Sequence, residues 1–139
     1  ASRATLSQHG QRCRCACGCR AASMTFASGS LLAQSRPAGT SAASIFTASV
    51  RTEITRIVVC NSTGSAAAYS IFHDDDGSTF DETTALFYAV SLGANTSEII
   101  DFGAAGGGIM VGKTGQIGFT SGTGNALTIS MYGVTQGAG

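Results

Sequence analysis

The sequence predicts an all-β fold, namely an antiparallel two-sheet β-sandwich, jelly-roll-like, with an extended N-terminal arm. Three observations support this prediction. From residue 43 onward, short apolar runs alternate with turn residues at fairly even spacing, which is typical of all-β proteins. Charged residues make up only 12% of the chain, and segments rich in the helix-favouring residues Leu, Glu, Lys and Gln are missing. The length of 139 residues leaves room for one domain.

Eight strands are predicted after residue 43. In the last of them, Leu127, Ile129 and Met131 occupy every second position, which places their side chains on one face of the strand. The segments between the strands are rich in Gly, Asn, Asp and Ser, the residues that favour turns. The predicted strands are 43–48, 52–60, 66–73, 84–90, 96–102, 108–112, 115–120 and 125–134.

Two of these strands carry apolar residues on both faces. This pattern is typical of strands at the centre of a sheet, because both of their sides are covered. The predicted faces are Ile54, Val58 and Cys60 opposite Ile57 and Val59 in segment 52–60, and Leu86, Tyr88 and Val90 opposite Phe87 in segment 84–90.

The number of strands indicates the architecture. Eight strands in about 95 residues fit a two-sheet sandwich, and eight is the number of strands in a jelly roll. An immunoglobulin-like sandwich is the alternative, although such a domain normally carries a core tryptophan and this chain has none. The predicted sandwich domain spans 41–139. Residues 1–40 form the predicted arm, because their few large apolar residues cannot build a core, and the first strand is expected after residue 40.

The net charge of zero hides an asymmetry. Residues 1–40 carry five arginines and no acidic residue, whereas 41–139 carry three basic and eight acidic residues. A cationic arm can attach to a negative surface, including the body of a neighbouring copy. Nucleic acid is not a predicted partner, because aromatic residues do not interleave with the arginines. The predicted interface residues are Arg12, Arg14, Arg20, Phe26, Leu31, Leu32 and Arg36.

Neither a membrane partner nor secretion is predicted. No stretch of 18 or more apolar residues occurs, and the N-terminal arginines are not followed by the apolar segment of a secretory signal.

Four of the five cysteines alternate with other residues in 13–19, a spacing tighter than the C-x₂₋₄-C of zinc sites. Chelation of a soft ion by this tract is the alternative to a reduced, metal-free state. Cys60 is predicted to be a small buried apolar residue of a strand.

The string Gly107 to Thr114 matches the phosphate-binding pattern G-x-x-x-x-G-K-[ST]. That loop binds phosphate because it leads into a helix N-terminus. Here Ile109, Met110 and Val111 favour a strand, and the residues that follow predict another strand. We therefore expect a strand and a hairpin turn at Lys113, and no cofactor.

The acidic segment 73–84 is predicted to be a solvated loop. With Gly77 as the sixth residue of an EF-hand loop, its first and twelfth positions fall on Phe72 and Thr83, so that spacing fails. His73 is the only histidine outside the arm, and no G-x-S-x-G motif accompanies it. No catalytic residue is predicted, and the protein is not expected to be an enzyme. A looser calcium site remains an alternative, formed by Asp74, Asp76, Asp81 and Glu82.

Several segments resemble small β-sandwich virion proteins of tailed bacteriophages: IVVCNSTGSA (57–66), DDGSTFD (75–81), TTALFY (83–88) and SGTGNALT (121–128). The resemblance covers about 45–135, and within this group the chain is most similar to jelly-roll cement (decoration) proteins. It implies a structural protein that binds the outside of a phage capsid and stabilises contacts between capsomers.

The same resemblance implies the partners and the location. The partners would be the major capsid protein and other copies of the chain, as a dimer or trimer. The protein would be made in the cytoplasm of the host bacterium and located on the capsid exterior. The alternative is a binding module, either a phage tail or fibre component or a carbohydrate-binding sandwich that uses the 73–84 loop. Sugar sites usually present exposed aromatic residues, and this loop offers only Phe80.

Overall fold

The structure is a computed structural model that describes residues 29–103 and 107–137. These residues form nine β-strands in two antiparallel sheets that pack face to face, which confirms the predicted all-β sandwich. No helix occurs in the described ranges. The strands are β1 (Ser30–Ser35), β2 (Ala43–Thr47), β3 (Thr52–Asn61), β4 (Ala67–Asp74), β5 (Ala85–Leu92), β6 (Thr96–Asp101), β7 (Ile109–Val111), β8 (Gln116–Ser121) and β9 (Leu127–Thr135).

The strands pair in a nested order. Sheet A has the order β1-β9-β3-β6, and β7 pairs with the N-terminal part of β3. Sheet B has the order β2-β8-β4-β5. Apart from β7, the first strand pairs with the last, β2 with β8, β3 with β6 and β4 with β5. The chain is therefore a long antiparallel hairpin folded over, which gives each sheet strands from both halves of the sequence.

The core lies between the two sheets. Its largest aromatic pair is Tyr69 and Phe119, whose ring centroids are 6.2 Å apart. The Tyr69 hydroxyl donates a hydrogen bond of 2.8 Å to Glu98 Oε2, and burial together with this bond raises the pKa of Tyr69. The predicted apolar face of β9 is confirmed. The aliphatic core residues include Ile54, Ile57, Val59, Ile71, Val111, Ile117, Leu127, Ile129 and Met131.

A strand at 30–35 shows that the prediction of a first strand after residue 40 is wrong. β1 forms an edge of sheet A through its pairing with β9, and Leu32 and Ala33 pack against the core. A register shift between Leu31 and Ala33 breaks the strict alternation, which explains why the strand is hard to detect in the sequence. The part of the predicted arm that precedes Gly29 lies outside the described residues.

A β-bulge in β3 changes the predicted faces of this strand. The register with β9 shifts between Ile54 and Arg56, so Ile54 lies in the core with Ile57 and Val59. The prediction that Ile54 shares a face with Val58 and Cys60 is wrong, because one extra residue moves all later side chains to the other face. Cys60 is only half-buried, contrary to its predicted burial. β3 does lie at the centre of sheet A, as predicted.

A second irregularity occurs in β5. Ala89 has a φ of +50°, and the pairing with β4 shifts on both sides of Ile71. Phe87 and Val90 therefore both pack against the core, whereas Leu86 and Tyr88 are exposed. The prediction that Val90 shares a face with Leu86 and Tyr88 is wrong for the same reason as in β3. The prediction that this strand lies at the centre of a sheet is also wrong, because β5 is an edge strand of sheet B and pairs only with β4.

The segment Gly107 to Thr114 forms β7 and a turn, as predicted, and β8 follows where a phosphate-binding loop would have a helix. Lys113 is exposed in this turn. Because β7 belongs to sheet A and β8 to sheet B, the turn connects the two sheets and is not the predicted hairpin.

Candidate binding surfaces

The outer face of sheet A, termed the sheet A face below, is built by side chains that point away from the core. Tyr132 of β9 lies between Leu31 of β1 and Arg56 of β3, and Arg56 pairs with Asp101 of β6. A second row runs parallel to this one, because Ser130 lies between its own two cross-strand partners. The second row consists of Gln34, Ser130, Val58 and Ile99.

Apolar side chains from all four strands contribute to the sheet A face. Ile99 is 65% exposed and Leu31 is 52% exposed, while Val58 and Tyr132 between them are half-buried. A cleft of about 770 Å³ runs along this face, and Gly29, the first described residue, lines it. Exposed apolar residues grouped on one face are typical of surfaces that contact another protein.

An ion pair borders the apolar residues. Arg56 Nη2 lies 2.6 Å from Asp101 Oδ2, and this hydrogen bond lowers the pKa of the Asp101 carboxyl. Both side chains are about half exposed, so water and salt screen the pair and its contribution to stability is small. The ion pair therefore resembles the polar rim of an interface more than a structural anchor.

The outer face of sheet B is covered by the loop that connects β4 and β5. Phe80 packs on Phe72 with ring centroids 6.1 Å apart, and Phe72 is only 2% exposed. The Phe80 ring lies over Gly118, where a Cβ atom would clash with it. The loop is thus packed on the sheet through Phe80, while its acidic side chains Asp81 and Glu82 are exposed as predicted.

The carboxylates near this loop bind backbone N–H groups of the same chain. Asp74 Oδ2 accepts a hydrogen bond of 2.6 Å from the Thr79 N–H, which lowers the Asp74 pKa. Asp81 Oδ1 accepts 2.6 and 2.8 Å hydrogen bonds from the hydroxyl and N–H of Thr83, which lower the Asp81 pKa. Across 29–103 and 107–137, no group of three or more His, Cys, Asp or Glu side chains could hold a metal ion. The geometry gives no support to the calcium alternative, and the Cys13–Cys19 tract lies outside the described residues.

A pocket of about 430 Å³ lies beside Phe80, and we call it the loop pocket. Its floor is formed by sheet B, including Ser70 of β4 and Thr120 of β8, and its walls by Phe80, Glu82 and Tyr88. Sequence reasoning placed Tyr88 on the same face as Leu86 but missed its contact with Glu82 of the loop, because only the fold brings these two side chains together. The next residue, Ala89, forms the bulge of β5. The bulge is fixed by a hydrogen bond of 2.9 Å from the Ala89 N–H to Ser70 Oγ, 19 residues away in the chain.

The predicted interface residues fall into two groups. Leu31 lies on the sheet A face, whereas Leu32 is half-buried against the core. The Arg36 side chain donates from Nε to the Asn125 carbonyl at 2.9 Å, and the Asn125 N–H donates to the Pro37 carbonyl at 2.9 Å. Participation of these three residues in an interface stays a prediction. The other predicted interface residues lie outside the described part of the chain: Arg12, Arg14, Arg20 and Phe26.

Comparisons of the chain with protein-family models, curated proteins and solved structures found no match. The described segments contain no helix with the length and apolar character needed to cross a membrane. The sheet A face and the loop pocket are the candidate binding surfaces of the described residues.

Proposed function

We propose that the protein is a cement protein, a structural virion protein that binds the outside of a phage capsid and stabilises contacts between capsomers. The observation that carries this proposal is the sheet A face, with Leu31 and Ile99 exposed beside the position where the N-terminal segment joins the sandwich. The nested strand pairing supports a jelly roll, a fold found in viral capsid and lectin domains. The resemblance of 45–135 to virion proteins favours the capsid as the partner.

The sheet A face has the composition of a protein interface. Leu31, Tyr132, Val58 and Ile99 supply an apolar strip across four strands, and Arg56 with Asp101 supplies a polar border. Burial of an exposed aliphatic side chain contributes up to about 1.5–3 kcal/mol, so two such residues can decide whether a complex forms. Because the strands of this face are already ordered, docking costs little conformational entropy. A low entropic cost of binding suits a protein that stabilises contacts between capsomers.

The charge distribution supports a second contribution from the N-terminal segment. Residues 1–28 carry four arginines and no acidic residue, and the next residue, Gly29, lines the cleft of the sheet A face. Exposed ion pairs contribute only about 0–1 kcal/mol each, but a symmetric capsid repeats them many times. The proposed partners are the major capsid protein and other copies of this chain. The proposal includes no nucleic acid, membrane, cofactor or catalytic reaction.

Co-sedimentation with capsids stripped of the protein tests the sheet A face. The full chain is compared with the double variant Leu31→Gln/Ile99→Gln, which removes apolar surface without changing charge. We expect at least ~10-fold weaker binding, equivalent to about 1.4 kcal/mol. The control Leu86→Gln makes the same change at an exposed residue of sheet B and should bind like the unmodified chain.

Two further measurements are the salt dependence of capsid binding and the location of the protein in virions. Binding of the unmodified chain should weaken between low and high salt, because salt screens the arginines of the N-terminal segment. Equal binding by the double variant and the unmodified chain would contradict the proposed face. Immunogold labelling of the tail in purified virions would contradict the capsid role and favour the alternative, a tail or fibre component.

A further inference from the structure

We infer that the loop pocket is a saccharide-binding site that accommodates one sugar residue. The pocket is formed on the outer face of sheet B, on the side of the sandwich opposite the sheet A face. The inference therefore goes beyond the proposed attachment to a capsid. The volume of the loop pocket, about 430 Å³, lies within the ~300–1,000 Å³ typical of small-molecule sites.

A buried hydroxyl group lines the floor of the pocket. Ser70 is only 5% exposed, and its Oγ accepts the hydrogen bond from the Ala89 N–H. Among the described residues the Ser70 hydroxyl donates to no acceptor, so its proton is available to a ligand in the pocket. A buried hydroxyl donor without an acceptor is unfavourable, and a ligand oxygen at this position would satisfy it.

Hydrogen-bond acceptors line the pocket around this donor. Tyr88 donates its hydroxyl proton to Glu82 Oε1 at 3.1 Å, which raises the Tyr88 pKa and positions the Glu82 carboxylate. Within the described residues, the second Glu82 oxygen makes no hydrogen bond. Thr120 Oγ1 donates to the Thr40 carbonyl at 2.8 Å and keeps its lone pairs as acceptors. The pocket thus offers one donor and several acceptors.

Aromatic rings supply the apolar wall. Tyr88 is 56% exposed and directly precedes the bulge at Ala89, whose φ of +50° is uncommon for a residue with a side chain. β-bulges often reorient a side chain beside a functional site. The half-buried Phe80 ring forms the adjacent wall. The face of an exposed ring can pack against the C–H groups of a sugar.

The combination of groups selects the ligand class. A lysine or arginine side chain could contact the ring and the carboxylates, but it only donates hydrogen bonds and would leave the Ser70 proton without an acceptor. An anion would accept from Ser70 but would meet the carboxylates of Asp81 and Glu82. Sugar hydroxyls both donate and accept, and the sugar ring carries apolar C–H groups. A neutral saccharide can therefore accept the Ser70 proton, donate to the acceptors and pack its C–H groups on the Tyr88 ring.

Nuclear magnetic resonance of the full chain, titrated with the methyl glycosides of glucose, galactose, mannose and N-acetylglucosamine, tests the inference. We expect saturable shifts with at least one of these probes. Tyr88→Ala and Glu82→Gln should each weaken that binding at least ~10-fold, since each removes a specific contact. The conservative variant Tyr88→Phe keeps the ring and loses the Glu82 contact, so its effect should be smaller than that of Tyr88→Ala.

A matched control and an independent measurement keep the outcome unambiguous. Leu86→Ala changes an exposed residue of the same strand outside the pocket and should leave saccharide binding unchanged. Tyr88→Ala should still co-sediment with capsids, so the two functions can fail separately. The inference is overturned if none of the four probes binds saturably, or if binding persists unchanged in both Tyr88→Ala and Glu82→Gln variants that retain the β-sheet circular dichroism spectrum.

Discussion

The outer faces of the two sheets differ in how the chain covers them. On sheet B, the loop between β4 and β5 returns over its own sheet, and Phe80 reduces the exposure of Phe72 to 2%. On sheet A, no described loop covers the apolar strip, and Ile99 remains 65% exposed. The loop thus covers sheet B around Phe72, although Leu86 and Tyr88 of β5 remain exposed, whereas no described loop covers the sheet A face. This difference is one reason for proposing that the sheet A face binds a partner.

The loop packs on sheet B because of residues in the loop and in the strands beside it. The 75–84 loop connects two neighbouring strands of sheet B, and Asp74 fixes its course by accepting the Thr79 N–H. The missing side chain at Gly118 leaves the space that the Phe80 ring fills. On sheet A the equivalent outward positions carry side chains such as Ser130 and Val58, which form the face itself. A loop can therefore pack closely on sheet B, whereas sheet A presents a continuous surface.

The largest expected effect is a difference in the free energy of unfolding between variants on the two faces. Phe80→Ala should lower the free energy of unfolding by about 2–3 kcal/mol, since a half-buried ring that packs on Phe72 is lost. Ile99→Ala on the sheet A face should change it by less than ~0.5 kcal/mol, because the side chain is mostly in water. Urea unfolding followed by far-ultraviolet circular dichroism measures both free energies of unfolding. Equal effects would mean that Phe80 does not cover sheet B in solution.

Acid unfolding compares the two faces through Asp74 and Asp101, whose pKa values are both lowered in the folded state. A lowered pKa stabilises the fold at pH values above the ordinary carboxyl pKa of about 3.9, and the contribution is lost as pH falls through the lowered value. Asp74→Asn and Asp101→Asn should therefore each reduce the loss of stability in acid. The measurement is the urea midpoint between neutral pH and pH values below the ordinary pKa.

Salt separates the two variants. The Asp101 pKa is lowered chiefly by the exposed Arg56 guanidinium, so the effect of Asp101→Asn should shrink in high salt. The Asp74 pKa is lowered chiefly by the Thr79 backbone N–H, and the effect of Asp74→Asn should persist. An Asp74 effect that disappears in high salt would contradict the geometry of the loop.

The sequence predicted the features that depend on local pattern. The alternation of Leu127, Ile129 and Met131 was sufficient to place β9 with its apolar face inward. Bulges were not predictable in the same way, because they depend on the register of a neighbouring strand. A bulge in β3 places Ile54 on the same face as Ile57, and a separate bulge in β5 places Val90 on the same face as Phe87. The edge strand β1 was missed for a related reason, since its bulge interrupts a short pattern.

The candidate sites were harder to predict because they combine distant residues. The sheet A face joins Leu31 to Tyr132, which are about 100 residues apart in sequence and become neighbours only through the pairing of β1 with β9. In the loop pocket, Ser70 and Tyr88 approach each other through the irregular pairing of β4 with β5. The acidic loop itself was visible in the sequence. The aromatic residue that completes its pocket lies in the following strand.

The smallest expected effect concerns Lys113, in the turn that connects the two sheets. The turn is held by groups other than the lysine side chain: the Thr114 N–H donates to the Ala48 carbonyl at 2.8 Å, and Asp75 Oδ1 accepts the Gly112 N–H at 2.6 Å. In the described structure, Lys113 Nζ makes no hydrogen bond or ion pair. Lys113→Ala should therefore change the free energy of unfolding by less than ~0.5 kcal/mol.

A matched variant in the same turn should behave differently. A Cβ atom at residue 115 would lie 2.6 Å from Asp75 Oδ1 and 2.9 Å from the Val111 side chain, so Gly115→Ala should destabilise the fold by about 1–3 kcal/mol. Isothermal titration calorimetry with ATP completes the test, because the sequence string around Lys113 matches a phosphate-binding loop but leads into β8. We expect no binding. Saturable ATP binding that disappears in Lys113→Ala would mean that the lysine contacts phosphate, which a turn without a following helix N-terminus is poorly suited to bind.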